Sequence, residues 1–282
     1  MLVGLIGHPV AHSKSPQMQN AAFAHANLPH WRYETWDTPP EDVPARMRLL
    51  AESKDIAGCN VTIPHKQAVM PYLNAVNEHA RAIGAVNTIF KRGDYLLGHN
   101  TDWTGFLADL TYQGVTVDET TQALVLGAGG SARAVVYALV SQGARVQVCN
   151  RTPNRAQALL DGISNSPYLR EIEERCSVVL TPEDPTCHAA TLIVNCTSAG
   201  MWPNDDVSPW PGNVPFPAGA TLYDLIYKPR ATKLMRQAQA SGLRVLGGIG
   251  MLAEQGAAAF HLWTGVPAAS VSGIMRATVS DE

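Results

Sequence analysis

The stretch ALVLGAGGSARAVVYALVSQG, residues 123–143, constrains this chain more than any other. Ala123 to Leu126 is an apolar run of strand length. Gly127-Ala128-Gly129-Gly130-Ser131-Ala132 follows at once and fits G-x-G-x-x-G/A, and a helix is predicted from there to Gln142, closed by Gly143. The pattern alone is weak. Between a strand and a helix, inside a unit of about thirty residues, it has the setting that a dinucleotide fold requires. The glycines let the backbone turn tightly and approach a pyrophosphate, whose charge the helix N-terminus can hold. The competing reading is a tight β-α turn with no ligand, and the flanking elements favour the dinucleotide.

The following strand, Arg145 to Asn150, narrows the choice of dinucleotide. A strand that serves NAD usually ends on Asp or Glu, which accepts from a ribose hydroxyl. Here the end reads Asn150-Arg151-Thr152, with Arg155 one helical turn further on and no acid. Guanidinium groups suit a 2′-phosphate through charge-assisted, often bidentate bonds. NADP is therefore the predicted cofactor, against the alternative that both arginines are solvated surface charges.

The rest of the chain alternates in the same way. Strands are predicted at Leu2 to Ile6, Trp31 to Trp36, Gly58 to Ile63 and Ala85 to Phe90. Helices are predicted from Ser15-Pro16, with Ser15 as N-cap, to about Ala26, and from Pro39 to Leu50. Near residue 100 the pattern restarts: Thr101 or Asp102 can cap a helix to about Gln113. Later strands are expected at Ser177 to Leu180, Leu192 to Asn195, Thr221 to Leu225 and Arg244 to Leu246, with a helix from Thr232 to Gly242. Residues 202–219, rich in Pro, Asp and Gly, read as a long surface loop. Alternating β and α elements favour mainly parallel sheets. The expected architecture is α/β, in two domains that meet near residue 102.

Composition excludes several other classes. The 282 residues are 46% hydrophobic and 16% charged, enough for a sizeable core. A net charge of -3 gives no basic excess for nucleic acid. Cys59, Cys149, Cys176, Cys187 and Cys196 are scattered, with no zinc spacing, and read as reduced, mostly buried thiols of a cytoplasmic protein. No metal site is expected. The N-terminal apolar run is short for a signal peptide, and every apolar run is too short to span a membrane.

Nine stretches together resemble the shikimate dehydrogenase family. They are GHPVAHSKSP (7–16), NVTIPHK (60–66), GAVNTI (84–89), NTD (100–102), GAGGSARA (127–134), NRT (150–152), NCTSAGM (195–201), YDLIY (223–227) and GMLAEQ (250–255). They run the length of the chain in the family's order. The resemblance implies NADPH-dependent, reversible reduction of 3-dehydroshikimate to shikimate, in the pathway to chorismate and the aromatic amino acids. It implies a substrate domain of residues 1–101 and 248–282, discontinuous in sequence, and a Rossmann-type NADP domain of residues 102–247, with a deep cleft between them.

The same resemblance assigns residues. Ser13 and Ser15 match serines that bind the substrate carboxylate, and Tyr227 a tyrosine beside it. Thr62, Lys66, Asn87 and Asp102 match the positions around the ring hydroxyls. Gln255 matches a residue that donates to the substrate from the far side of the cleft, and Asn60 either contacts substrate or braces its loop. Lys66 and Asp102 are the expected catalytic pair, because hydride arriving at a ketone carbon creates alkoxide charge that needs a cation and then a proton. Taken singly, Lys66 would read as a surface charge and Asp102 as a helix cap. Cofactor contacts are expected from Gly127, Ala128, Gly129, Gly130, Ser131, Ala132, Asn150, Arg151, Thr152 and Arg155, then Thr197 and Ser198 at a strand end, and Gly248 and Met251 beside the nicotinamide.

His8, His12 and His65 read as surface or loop histidines. Trp103 stands where many members have a small residue. The rival functions are a quinate or dual quinate/shikimate dehydrogenase and, from another class, a non-catalytic sensor of shikimate-like ligands. Arg151 with both serines argues against the first, and intact Lys66 and Asp102 against the second. The expected partners are small molecules, with no nucleic acid or membrane, in a monomer or homodimer.

Overall fold

The computed structural model describes residues 1–164 and 172–280. Its chain divides into two units, Met1–Asp109 with Gly250–Glu282, and Leu110–Ile249. Each carries its own six-stranded sheet.

In the first unit the order is β1 (Leu2–Gly7), α1 (Ser15–His25), β2 (Arg32–Asp37), α2 (Val43–Glu52), β3 (Ile56–Val61), β4 (Ala75–Val76), α3 (Glu78–Ile83), β5 (Thr88–Arg92), β6 (Tyr95–His99) and α4 (Asp102–Tyr112). The sheet runs β2-β1-β3-β5-β6-β4. β1 is parallel to β2 and β3, and β4 to β6, while β5 runs antiparallel to both its neighbours. The sheet is thus mainly parallel, with a reversed hairpin, β5 to β6, outside the expected β-α alternation. Arg92 pairs with Tyr95, leaving Gly93 (φ 59°) and Asp94 as a two-residue turn.

One face of this sheet is filled by Ile6, Met47, Leu50, Val61, Val86, Ile89 and Leu96. The last two helices, α9 (Ile249–Thr264) and α10 (Ala269–Ser280), return to this unit; Phe260 packs on Phe23 of α1 with ring centroids 4.9 Å apart. Trp263 Nε1 donates to Ile89 O at 3.0 Å, passing over Gly58, where a Cβ would stand 2.2 Å from that same oxygen. Only glycine admits so close an approach.

Three local expectations are corrected. Ser15 is not the N-cap of α1: it lies in the first turn, and its N–H donates to Ser13 Oγ at 3.2 Å. The strand through Val61 does not continue to Ile63. Thr62 N still donates to Ile6 O, but His65 N turns back to Thr62 O at 2.9 Å, and Ile63 is 58% exposed. Pro39 to Leu50 is a 3-10 turn, Pro40–Asp42, followed by α2.

The second unit runs β7 (Gln122–Leu126), α5 (Gly130–Ser141), β8 (Arg145–Cys149), α6 (Pro153–Ser164), α7 (Ile172–Arg175), β9 (Cys176–Val179), β10 (Leu192–Asn195), β11 (Thr221–Asp224), α8 (Lys233–Ala240) and β12 (Arg244–Gly247). All strands are parallel, in the order β12-β11-β10-β7-β8-β9. Read from β9, this is the doubly wound order 3-2-1-4-5-6, whose switch point lies between β7 and β10. The proline-rich stretch 202–219 is not a plain surface loop. Trp210 and Val214 are buried in the core, Trp210 stacks on Phe216 at 4.5 Å, and Trp210 Nε1 donates to Val214 O at 2.9 Å.

Candidate functional site

A buried polar cluster sits in the first unit where β3, β5, α4 and α9 come together. Lys66 follows the turn after β3, and its carbonyl accepts from Val86 N at 2.7 Å. Its Nζ donates to Asp102 Oδ2 at 2.6 Å; the two side chains are only 10% and 7% exposed. Asp102 opens α4, with its N–H donating to Asn100 Oδ1 at 3.0 Å, and Asn100 in turn donates to Ala85 O at 2.9 Å. A carboxylate in the first helical turn is favoured by the helix dipole, so the fold stabilises the charge where it places it.

Asn87 is the centre of the cluster. Its Nδ2 reaches Asp102 Oδ1 at 2.8 Å, Thr101 Oγ1 at 3.0 Å and Gln255 Oε1 at 3.3 Å. Two amide hydrogens thus serve three acceptors. Its Oδ1 accepts from Thr101 N at 2.7 Å and from Thr88 Oγ1 at 3.1 Å. Asn60 is held on every side: Oδ1 accepts from Tyr33 Oη at 2.9 Å, and Nδ2 donates to Asn87 O and Thr88 Oγ1. Asn60 therefore braces the strands beneath the cluster. Gln255, expected on the opposite side of a cleft, belongs to this same unit and meets Asn87 directly.

Ser13 and Ser15 lie outside this hydrogen-bonded cluster, in their own turn at the start of α1. Thr62 is half-buried just past β3. His65, read as a surface or loop histidine, lies in the turn after β3 but is 1% exposed, and its Nε2 donates to Thr38 O at 2.6 Å, tying the turn that carries Lys66 to the end of β2. Thr101, Thr88, Asn100 and Tyr33 were not foreseen as members of the cluster. Thr101 and Asn100 lie inside the NTD stretch, so their signal was in view; Tyr33 had none.

The second unit holds the glycine turn. Gly127 has φ 109°, which favours glycine, and a Cβ there would meet Thr197 Cγ2 at 3.1 Å. Gly129 precedes the first residue of α5, no side chain caps the helix there, and a Cβ on Gly129 would meet nothing within 4 Å. Backbone N–H groups at an uncapped helix start, beside an open glycine face at the switch point, suit a pyrophosphate. At the end of β8, Asn150 Nδ2 donates to Thr152 O at 2.8 Å, and Arg151 and Arg155 are exposed. Across the switch point, buried Asn195 donates to Asp224 Oδ1 at 2.9 Å and accepts from Thr197 N and Oγ1. Burial pushes the Asp224 carboxyl up, against three donors from Thr232, Ile226 and Asn195. Thr197 is thereby fixed, while Ser198 beside it is exposed.

Tyr227 and Gly248 belong to the second unit and Met251 to the first. A Cβ on Gly248 would lie 2.1 Å from Leu225 O, so this glycine is required by chain packing. Burial pushes the Cys149 and Cys187 thiols up to about 11, and the Cys59 thiol higher still, which leaves them poor nucleophiles. Among the described residues no group of three His, Cys, Asp or Glu is placed to hold a metal, and no helix is long and apolar enough to cross a membrane. A buried ammonium and carboxylate in contact, next to hydrogen-bond donors and acceptors, is an arrangement that can deliver a proton to a developing oxyanion.

Comparison with known proteins adds the chemistry of relatives. A family model described as the shikimate dehydrogenase substrate binding domain matches residues 5–89. Models described as shikimate / quinate 5-dehydrogenase and as the shikimate 5'-dehydrogenase C-terminal domain match residues 110–180 and 248–279. The shikimate dehydrogenase (NADP(+)) of Moorella thermoacetica is 42% identical over 278 residues, spanning 98% of this chain and 92% of its own. The crystal structure of shikimate 5-dehydrogenase from Thermus thermophilus, in complex with NADP(H) and shikimate, superposes with a TM-score of 0.85 at 38% identity over 99% of each chain. Quinate dehydrogenase from Corynebacterium glutamicum, in complex with NAD, gives 0.80 at 30% identity over 97% of this chain and 98% of its own.

Proposed function

Because this chain belongs to the shikimate dehydrogenase family, we propose that it catalyses the reversible, NADPH-dependent reduction of 3-dehydroshikimate to shikimate. The observation that carries this reading is the buried Lys66–Asp102 pair held by Asn87, in a chain that matches, over most of both lengths, relatives named for that activity. NADPH, when bound, supplies a hydride to the ketone carbon. The chain's own residues deal with the oxygen. The Lys66 ammonium stabilises the charge that gathers there, and the Lys66–Asp102 pair delivers the proton. Asp102 Oδ2 orients Lys66, and Asn87 fixes Asp102 through Oδ1.

The remaining assignments belong to the same proposal. Ser13 and Ser15 bond the substrate carboxylate without adding charge, Tyr227 lies beside it, and Thr62, Asn87 and Gln255 meet ring hydroxyls. The first unit is the substrate domain and the second the cofactor domain. The turn Gly127 to Ala132 and the start of α5 hold the pyrophosphate, and Arg151 and Arg155 hold the 2′-phosphate, with Asn150 and Thr152 shaping the strand end. Thr197 and Ser198 face the dinucleotide from their strand end, and Gly248 and Met251 line the nicotinamide side. The absence of an acid at the end of β8 speaks against an NAD-linked quinate enzyme. Five cysteines held as thiols, outside any disulfide, support a cytoplasmic setting.

The test is a steady-state assay with shikimate and with quinate, each with NADP and with NAD. Shikimate with NADP is expected to give much the highest kcat/KM. Faster quinate oxidation with NAD overturns the substrate and cofactor assignments, and ligand binding without any NADPH formation overturns catalysis.

A further inference from the structure

A second, partly buried charge cluster lies away from Lys66, and the proposed reaction does not use it. Asp109 is on α4, two turns after Asp102 and so on about the same face of that helix. Its side chain is 0% exposed. Arg276 of α10 donates through Nη1 to Asp109 Oδ1 and through Nη2 to Glu254 Oε1 of α9, both at 2.7 Å. Ser272 Oγ adds a third bond, to Glu254 Oε1 at 2.7 Å. One guanidinium therefore ties three helices together.

The glycines along α4 and α9 show how closely those helices lie. A Cβ on Gly250, in the first turn of α9, would stand 1.9 Å from Asp109 Oδ1. The carboxylate occupies the space a side chain would need, against a helix N-terminus that favours it. A Cβ on Gly105 of α4 would stand 2.6 Å from Gln255 N and 2.7 Å from Gln255 Cβ. So α4 meets α9 at Gly105, between Asp102 and the residue that Arg276 holds. On α9, Glu254, held by Arg276, is the residue immediately before Gln255, which meets Asn87.

We propose that Arg276, with Asp109 and Glu254, is a positioning residue for the reaction: it locks α4 to α9 and thereby sets Asp102 and Gln255 against Asn87. This role rests on the proposed dehydrogenase function. An ion triad with Asp109 fully buried and Arg276 and Glu254 partly so is a poor source of net stability, because exposed pairs contribute little and buried ones are matched by apolar residues of equal volume. Its distinctive product is geometry. Arginine suits the task because its planar fork holds two carboxylates at fixed angles, which lysine cannot do.

The experiment compares Arg276→Met, Arg276→Lys and Gly250→Ala with Met275→Ala, a fully buried apolar neighbour on α10. Thermal unfolding, kcat, the KM for shikimate and for NADP, and amide exchange at Thr101 and Asp102 are measured on each. Misplacing reacting groups by about 1 Å can cost about a hundredfold in rate. Arg276→Met and Gly250→Ala are expected to lower kcat by about tenfold to a hundredfold. The KM for NADP should stay unchanged, and exchange at the Thr101 and Asp102 amides should quicken. Arg276→Lys should recover part of kcat. Met275→Ala should lower the unfolding temperature and leave kcat and those amides alone. If Arg276→Met and Gly250→Ala behave like Met275→Ala, the positioning role is overturned. If wild type does not oxidise shikimate, the functional reading falls instead, and the exchange data alone still decide whether Arg276 holds Asp102.

Discussion

Replacing Lys66 by methionine removes the ammonium and keeps most of the side chain's bulk. The Nζ to Oδ2 distance is 2.6 Å. At an effective dielectric of about 20 that separation corresponds to an attraction of about 6 kcal/mol, before desolvation of both groups is counted. Loss of the cation leaves Asp102 buried, with Asn87 Nδ2 at 2.8 Å and no counter-charge from Lys66. Breaking such a pair from one side costs about 3–5 kcal/mol. Adding Asp102→Asn removes the stranded charge and keeps an acceptor for Asn87, so most of that stability should return. Activity should not. Loss of a proton-delivering group lowers kcat by about a hundredfold to ten-thousandfold, with little change in the KM for shikimate. Urea unfolding of both single variants and the double variant reads the stability cycle, and NADPH absorbance reads the rate. The reasoning is refuted if the double variant is no more stable than Lys66→Met. It is also refuted if Lys66→Met raises KM while kcat holds.

Three further outcomes are expected. Arg151→Ala should raise the KM for NADP by roughly tenfold to a hundredfold, the size of one bond to a charged group, and leave NAD kinetics unchanged; an unaltered preference in paired assays removes Arg151 from the 2′-phosphate. The His99 imidazole is held below its ordinary pKa by burial first and by His79 and Arg92 next, so it sheds protons on folding. The stability it contributes is complete above about pH 6.5 and is lost as pH falls through the folded value, so the urea midpoint should drop on acidification and His99→Phe should flatten that drop. Trp210→Ala should destabilise the second unit by about 3–5 kcal/mol, whereas a true surface loop would show less than about 0.5 kcal/mol in the same unfolding assay.

Periodicity and punctuation carried most of the fold. The strand, glycine turn and helix at residues 122–141 were legible because apolar spacing and φ > 0 positions are local properties. The β5–β6 hairpin carried a local signal as well, Gly93-Asp94 between two pairing runs, but it interrupts an otherwise regular β-α alternation. Ile63 was read as strand because β-branched residues suit strands, yet the strand ends where Thr62 and His65 close a turn. His65 lies in a turn, as its setting in the sequence suggests, but its burial is not legible there because its partner, the Thr38 carbonyl, is 27 positions away. The charged tie between Asp109 and Arg276 spans 167 positions, and nothing in either neighbourhood announces it. Lys66 and Asp102 were legible through their family setting; that they touch is a fact of tertiary structure.

The first unit is closed by the last helices of the chain, α9 and α10, while the second unit is one continuous segment. Synthesis runs from the N-terminus, and domains tend to fold as their residues emerge. The segment 110–249 can therefore complete its sheet while the first unit still lacks Gln255, Phe260 and Arg276. A nascent or prematurely stopped chain can present the glycine turn without a finished Lys66 cluster. On the proposed assignment of the second unit to the cofactor, a chain stopped before α9 is expected to bind NADP and to show no turnover.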